Sequence, residues 1–168
     1  MKRIGVLSDT HSYIDLTLRS FFEDCDEIWH AGDIGDMKVM EELEKWKPIK
    51  AVHGNIDSGD VKRIYPEYHI IDVEGKRFLL IHIAGRIGKY NTTVTDLLKK
   101  YEGIDCIVCG HSHILKVQND LKFNILYLNP GAAGKHGFHL VCTALKFDVD
   151  GTNMKNLQLI ELGKRGAI

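Results

Sequence analysis

Short apolar runs alternate along the chain with stretches in which apolar residues return at helical spacing. Residues 4–7 form the first run and predict a buried strand. Behind it Ile14, Leu18, Phe21 and Phe22 fall at i, i+4, i+7 and i+8, the stripe of an amphipathic helix that ends near Asp24 to Asp26. Residues 27–31 predict a second strand. Val39, Met40, Leu43 and Trp46 give the next helical stripe, with Asp36 as its N-cap and Pro48 closing the segment. Residues 49–52 follow as a third short strand. Such strand-helix alternation predicts parallel pairing with right-handed crossovers, which places the loops at the strand exits along one sheet edge.

Residues 68–73 and 77–83 flank Glu74-Gly75-Lys76 and predict a hairpin. Val94, Leu97, Leu98 and Tyr101 mark a third helix, begun by Thr92 or Thr93, and residues 105–109 another buried strand. Beyond His113 the pattern turns mostly β. It reads as strands over 115–118, 123–128, 139–147 and 154–162, with turns at Asn119-Asp120 and Asp150-Gly151 and a loop over 129–134. Successive hairpins predict a second, more antiparallel sheet packed on the first.

Composition narrows the class without naming a chemistry. The 168 residues, 44% hydrophobic and 27% charged, suit one compact domain over 1–168. Lys and Arg total 22 against 23 Asp and Glu, so no global field favours nucleic acid or an anionic membrane. No stretch approaches a membrane span, and the apolar run behind Lys2 and Arg3 stops at Asp9, too early for a signal-peptide core. Cys106 and Cys109 form a CxxC inside a strand-like run, where an extended backbone points them to opposite faces. With Cys25 and Cys142 they read as reduced core residues of a cytoplasmic protein.

The polar residues that close the strands change the picture. Asp9 and His11, Asp33, Asn55, His82, and His111 with His113 each follow a predicted buried strand. Taken singly, they read as turn formers or satisfied core histidines. Taken together, they form an all-nitrogen-and-oxygen set too large for one ion and suited to two ions sharing a carboxylate. Gly32, Gly54 and Gly110 beside them leave room for tight turns.

In the order Asp9-Thr10-His11, Gly32-Asp33, Gly54-Asn55, His82 and Gly110-His111-Ser112-His113, the chain resembles the calcineurin-like metallophosphoesterases. Asn129-Pro130-Gly131 matches a further element of their small bacterial and archaeal phosphodiesterase branch. The resemblance implies an α/β fold, a four-layer α/β/β/α sandwich of two mixed β-sheets flanked by helices. It implies one metal on Asp9, His11 and His113 and another on Asn55, His82 and His111, with Asp33 bridging. The catalytic group is then Asp33, Asn55 and His82, with a hydroxide between the metals attacking phosphorus. Two divalent ions per chain are expected, manganese first, with Fe, Zn, Co or Ni as alternatives.

The implied activity is phosphodiester hydrolysis on a small substrate. Its alternatives are a phosphomonoesterase acting on small phosphorylated metabolites and a non-catalytic, metal-binding interaction subunit. Two departures bear on it. Ile56 stands where larger members carry a His that protonates the leaving group, which favours diesters, and Ala132 stands where the branch commonly has Ser. Asp57 is open between a replacement acid and a structural turn residue. Arg86 and Asn55 are the candidate substrate contacts, Arg86 because a guanidinium forks onto phosphoryl oxygens. His30 reads as a supporting or structural imidazole, His53 as a rim residue, His136 as a phosphate contact, and His69 and His139 as packing residues within strands. No nucleic-acid platform or membrane anchor stands out, and an exposed C-terminal edge strand could support a homo-oligomer.

Overall fold

Two five-stranded sheets face each other in the computed structural model, which describes residues 1–165. The first sheet holds, in spatial order, β12 (Asn153–Lys164), β11 (Val141–Asp150), β1 (Lys2–Leu7), β2 (Glu27–His30) and β3 (Ile49–Ala51). The second holds β4 (Tyr68–Val73), β5 (Lys76–Ile81), β8 (Cys106–Val108), β10 (Ile125–Pro130) and β9 (Leu115–Asp120). A small ribbon pairs β6 (Gly85–Arg86) with β7 (Lys89–Tyr90). Four helices complete the described residues: α1 (Leu18–Phe21), α2 (Lys38–Glu44), α3 (Gly59–Ile64) and α4 (Thr92–Lys100).

Three apolar clusters produce the layers. Trp29, Phe78 and Phe147 meet in the cluster between the sheets, joined by Ile4, Val6, Leu80 and Val108. Trp29 stands edge-on to Phe78 at 5.0 Å, and its indole N–H donates to Glu27 at 2.7 Å. Leu18, Phe22, Met40, Leu43 and Val61 cover the outer face of the first sheet from α1, α2 and α3. Val94 and Leu97 of α4 cover Leu79, Ile81 and Ile107 on the outer face of the second. Alternate residues of β5 therefore serve two different cores, Phe78 and Leu80 inward, Leu79 and Ile81 outward, which is why that strand reads as a continuous apolar run. The four-layer α/β/β/α arrangement implied by the resemblance is the one observed.

β1, β2 and β3 run parallel, as do β5, β8 and β10. Against the sequence reading, the C-terminal strands do not all build one second sheet. β9 and β10 do, but β11 returns to pair antiparallel with β1, and β12 follows it to the edge. A cross-strand pair marks that return: Arg3 donates to both oxygens of the buried Asp148, at 2.6 and 2.9 Å. The guanidinium holds the Asp148 carboxyl down at about 2.

Other elements shift in detail. The helix expected from Ile14 shortens to Leu18–Phe21, because the Asp15 carboxylate accepts from the Thr17 amide and hydroxyl and holds the preceding residues in a turn. Met37 rather than Asp36 stands at the N-cap of α2, and Asp36, one residue ahead, accepts from the Lys38 amide at 2.9 Å. Asn91, one residue ahead of the expected threonines, caps α4 through the Val94 amide. The Asn119-Asp120 turn lies further on, over 121–124, because Asp120 is buried and takes hydrogen bonds from Tyr90 and from the Gly88 and Lys122 amides. His139 lies in the loop before β11 rather than in a strand. No helix among the described residues is long and apolar enough to cross a membrane.

Candidate metal centre

The exits of β1, β2, β3, β5 and β8 carry the candidate ligands, and the loops are sewn together by their own backbone. The Asp9 amide donates to Gly32 O at 3.0 Å and the His11 amide to Asp33 O at 3.1 Å, so the first two loops continue pairing beyond their strands. Within the second sheet the Gly110 amide likewise donates to His82 O, and the His111 amide crosses to Asp9 Oδ2 on the first. Asp9, His11, Asp33, His111 and His113 all adopt positive φ, between 45° and 69°. Left-handed backbone is uncommon outside glycine and concentrates where a site dictates side-chain direction. A Cβ at Gly54 would lie 2.0 Å from Asp33 Oδ1, and one at Gly110 2.6 Å from Asp9 Oδ2, so only glycine lets these loops close on the carboxylates.

Two donor groups result. Asp9, His11 and His113 form one, and Asp33, His82 and His111 the other. Asn55 joins the second group, its Oδ1 2.9 Å from His111 Nδ1 and 3.1 Å from His82 Nε2. Asp33 lies between the groups, with Oδ1 3.2 Å from His82 Nε2 and Oδ2 3.6 Å from His11 Nε2. All seven residues selected from the sequence therefore meet.

Their chemistry suits a cation. Asp9 and Asp33 are 0% and 3% exposed, and their ion-pair partners among the described residues are imidazoles alone. Asp9 Oδ1 and His11 Nε2 are buried without a hydrogen-bond partner. The His82 Nδ1–H donates to Ala31 O at 2.7 Å, which turns a bare Nε2 toward the oxygens of Asp33 and Asn55. Acceptors facing acceptors in a buried space are costly unless a positive charge sits among them. Burial depresses the pKa of His11 and of His111, keeping both imidazoles neutral. Burial would lower His82 too, but the Asp33 and Asp9 carboxylates favour a proton on Nε2 strongly enough to outweigh it and raise it, the same demand for positive charge that a cation would meet. Burial likewise works against the Asp33 carboxylate, and His82 together with the Ile56 amide brings it below its ordinary range.

Three further residues hold the frame. His30, fully buried, accepts from the Gly32 amide at Nδ1, and its Nε2–H donates to Thr10 Oγ1, whose hydroxyl donates to Ile34 O. It thereby ties the Asp9 loop to the Asp33 loop. Asp57 accepts from the amides of Ile34, Gly35 and Gly54, which gives it the structural role rather than the acid's. The Asn129 amide donates to Gly110 O and Ser112 Oγ, and its carbonyl accepts from Gly131, pinning the loop that bears His111 and His113.

Burial pushes the His30 pKa down to about 4 from an ordinary value near 6.5. The unfolded chain then binds the extra proton first, so this group's contribution to stability is complete above about pH 6.5 and is lost as pH falls toward 4. Between pH 7 and pH 5 the chelated protein is expected to lose about 2 kcal/mol more unfolding free energy than His30→Gln, read by urea titration. Equal losses would contradict this account of His30.

Beside His82 and Asn55 opens a cavity of about 300 Å³, walled also by His53, Lys62, Asn91 and Thr93. Nothing in the spacing of Lys62 and Asn91 marks them for this site, and Thr93 reads from the sequence as a helix start alone. Arg86 is not among these walls. It stands exposed on the β6–β7 ribbon, bonded to none of the seven candidates among the described residues. His53 reaches the rim as expected, and the exposed His136 ring packs 5.0 Å from that of His11.

Comparison with known proteins agrees with this geometry. Residues 1–152 match the calcineurin-like phosphoesterase superfamily domain. A probable metallophosphoesterase of Methanothermobacter thermautotrophicus is 33% identical over 139 residues, covering 77% of this chain and 76% of that protein. A solved structure described as a novel archaeal phosphodiesterase superposes with a TM-score of 0.71 at 22% identity, over 95% of this chain and 99% of that one. Vps29 of Chaetomium thermophilum superposes at 0.76 with 14% identity, over 99% and 100% of the two chains. At these identities the two structures speak to the fold alone.

Proposed function

The chain belongs to the calcineurin-like phosphoesterase superfamily, and from that membership we propose that it is a metal-dependent phosphodiesterase acting on small phosphodiesters. The observation that carries the proposal is the position of Asp33, one oxygen turned to each donor group. Asp9, His11 and His113 would hold one divalent cation, Asn55, His82 and His111 a second, and Asp33 both. Manganese is the first expectation, since the donor set is nitrogen and oxygen without thiolate. Such a pair supplies Lewis acidity, neutralising phosphoryl charge and making a water molecule acidic enough to attack at neutral pH.

The chain's own groups do the rest. Asn55 turns its carbonyl oxygen to the imidazoles, which leaves its amide N–H groups to donate to a phosphoryl oxygen. The cavity beside it receives one ester arm, where Lys62 supplies positive charge and Ile83 an apolar wall. The two positions after Asn55 offer no acid for the leaving oxygen: position 56 is Ile, with its amide turned to Asp33, and Asp57 is committed to backbone. Diesters and activated leaving groups need that proton least, which supports the diesterase over a monoesterase. The four buried thiols support a reducing, cytoplasmic setting.

The Vps29 likeness, one of fold, leaves open a second reading, an interaction subunit that binds metal without turnover. One assay separates the readings. With Mn²⁺ the chain is expected to cleave bis(p-nitrophenyl) phosphate faster than p-nitrophenyl phosphate, to lose activity on chelation, and to regain it when Mn²⁺ is restored. Activity that survives chelation would overturn the metal reading. A monoester preference would overturn the diesterase, and metal uptake without cleavage would favour the interaction subunit.

A further inference from the structure

We propose that His139 is a positioning residue that fixes the tautomer of His113, so that His113 presents a bare Nε2 beside Asp9. The inference rests on the Asp9, His11, His113 group being a cation site. The number of protons shared along this run of acceptors fixes the tautomer. Gly134 O, a carbonyl, can only accept, and His139 Nε2 lies 2.8 Å from it, so that nitrogen carries the hydrogen. In a neutral imidazole the other nitrogen is then bare. His139 Nδ1 faces His113 Nδ1 at 3.1 Å, and the shared proton must therefore belong to His113. His113 Nε2, 3.2 Å from the unpartnered Asp9 Oδ1, is left with its lone pair free.

The surroundings are built to keep that direction. The Gly134 amide donates to Asp9 O at 3.1 Å, so the carbonyl that orders the relay is fastened to the residue whose ligand partner it orients. Cys142 Sγ donates to the same carbonyl at 3.1 Å. Gly137 closes over the pair at φ +127°, and a Cβ there would lie 2.1 Å from His113 Nδ1. His82 obtains the same service from a backbone carbonyl, that of Ala31. At His113 no carbonyl reaches Nδ1 among the described residues, and a second imidazole passes the polarity along.

The test has two arms, and neither reads turnover. ¹⁵N NMR of the chelated native protein at pH 8 is expected to show His113 protonated at Nδ1 and His139 at Nε2. Zn²⁺ calorimetry is expected to show that His139→Phe weakens one of two sites by about 10- to 100-fold, the usual cost of removing such a partner, and spares the other. His139→Gln, whose amide offers both an acceptor and a donor, should recover most of that loss. A native His113 protonated at Nε2, a His139→Phe chain that binds both ions as tightly as native, or a Gln variant as weak as Phe would each overturn the inference. A native chain that takes up no Zn²⁺ would instead bring down the cation reading and this inference with it.

Discussion

Asp33→Asn is expected to lower kcat/KM on a diester by more than about 100-fold while costing the chelated protein little stability. Changing a residue that merely supports a metal ligand commonly costs 10- to 100-fold, and Asp33 reaches both donor groups itself. The amide keeps one oxygen but removes the negative charge that would neutralise two cations. In the metal-free state the effect is small. Burial then works against the Asp33 carboxylate, 3% exposed, while His82 and the Ile56 amide favour it, and the Asn retains an oxygen for that amide, so the opposing contributions largely offset. Steady-state rates and thermal melts with and without chelator check both halves. Activity within tenfold of native, or a large drop in the chelated melting temperature, would contradict this reading of Asp33.

Asp57→Ala should cost about 4 kcal/mol of folding stability. The carboxylate is 3% exposed and takes three backbone N–H groups, from Ile34 at 3.1 Å, Gly35 at 2.9 Å and Gly54 at 2.7 Å. Truncation leaves two buried donors, Ile34 and Gly54, and the half-buried Gly35 unpaired, each buried one worth about 1–3 kcal/mol before relaxation. Those amides flank Asp33 on one loop and Asn55 on another, so metal affinity should fall in parallel. Asp57→Asn retains one oxygen and should lose roughly half as much. Urea unfolding measures the cost. A variant as stable as native that loses only the acid-dependent limb of the pH–rate profile would instead make Asp57 a proton donor.

The sequence carried the site further than it carried the frame. Asp9, His11, Asp33, Asn55, His82, His111 and His113 were legible because each closes an apolar run, and a parallel strand order sends such exits to one edge. The pairing of β11 with β1 was not legible. Arg3 and Asp148 are 145 positions apart, and nothing local distinguishes a strand that joins its neighbour from one that returns to the first sheet. α1 was overdrawn because periodicity at Ile14 reports burial, while the Asp15 turn reports backbone direction, and the second prevailed. Arg86 fits phosphate by chemistry, but its place on an exposed ribbon depends on a two-residue pairing too short to leave a pattern. His139 looked like a strand residue because the apolar run of β11 begins just after it, and its contact with His113 spans 26 positions.

The most direct test is to locate the ions themselves. Crystals of the native chain soaked in Mn²⁺ should give two anomalous peaks, one among Asp9, His11 and His113 and the other among Asn55, His82 and His111, with Asp33 touching both. A single peak, or peaks that leave Asp33 outside their coordination, would contradict the account.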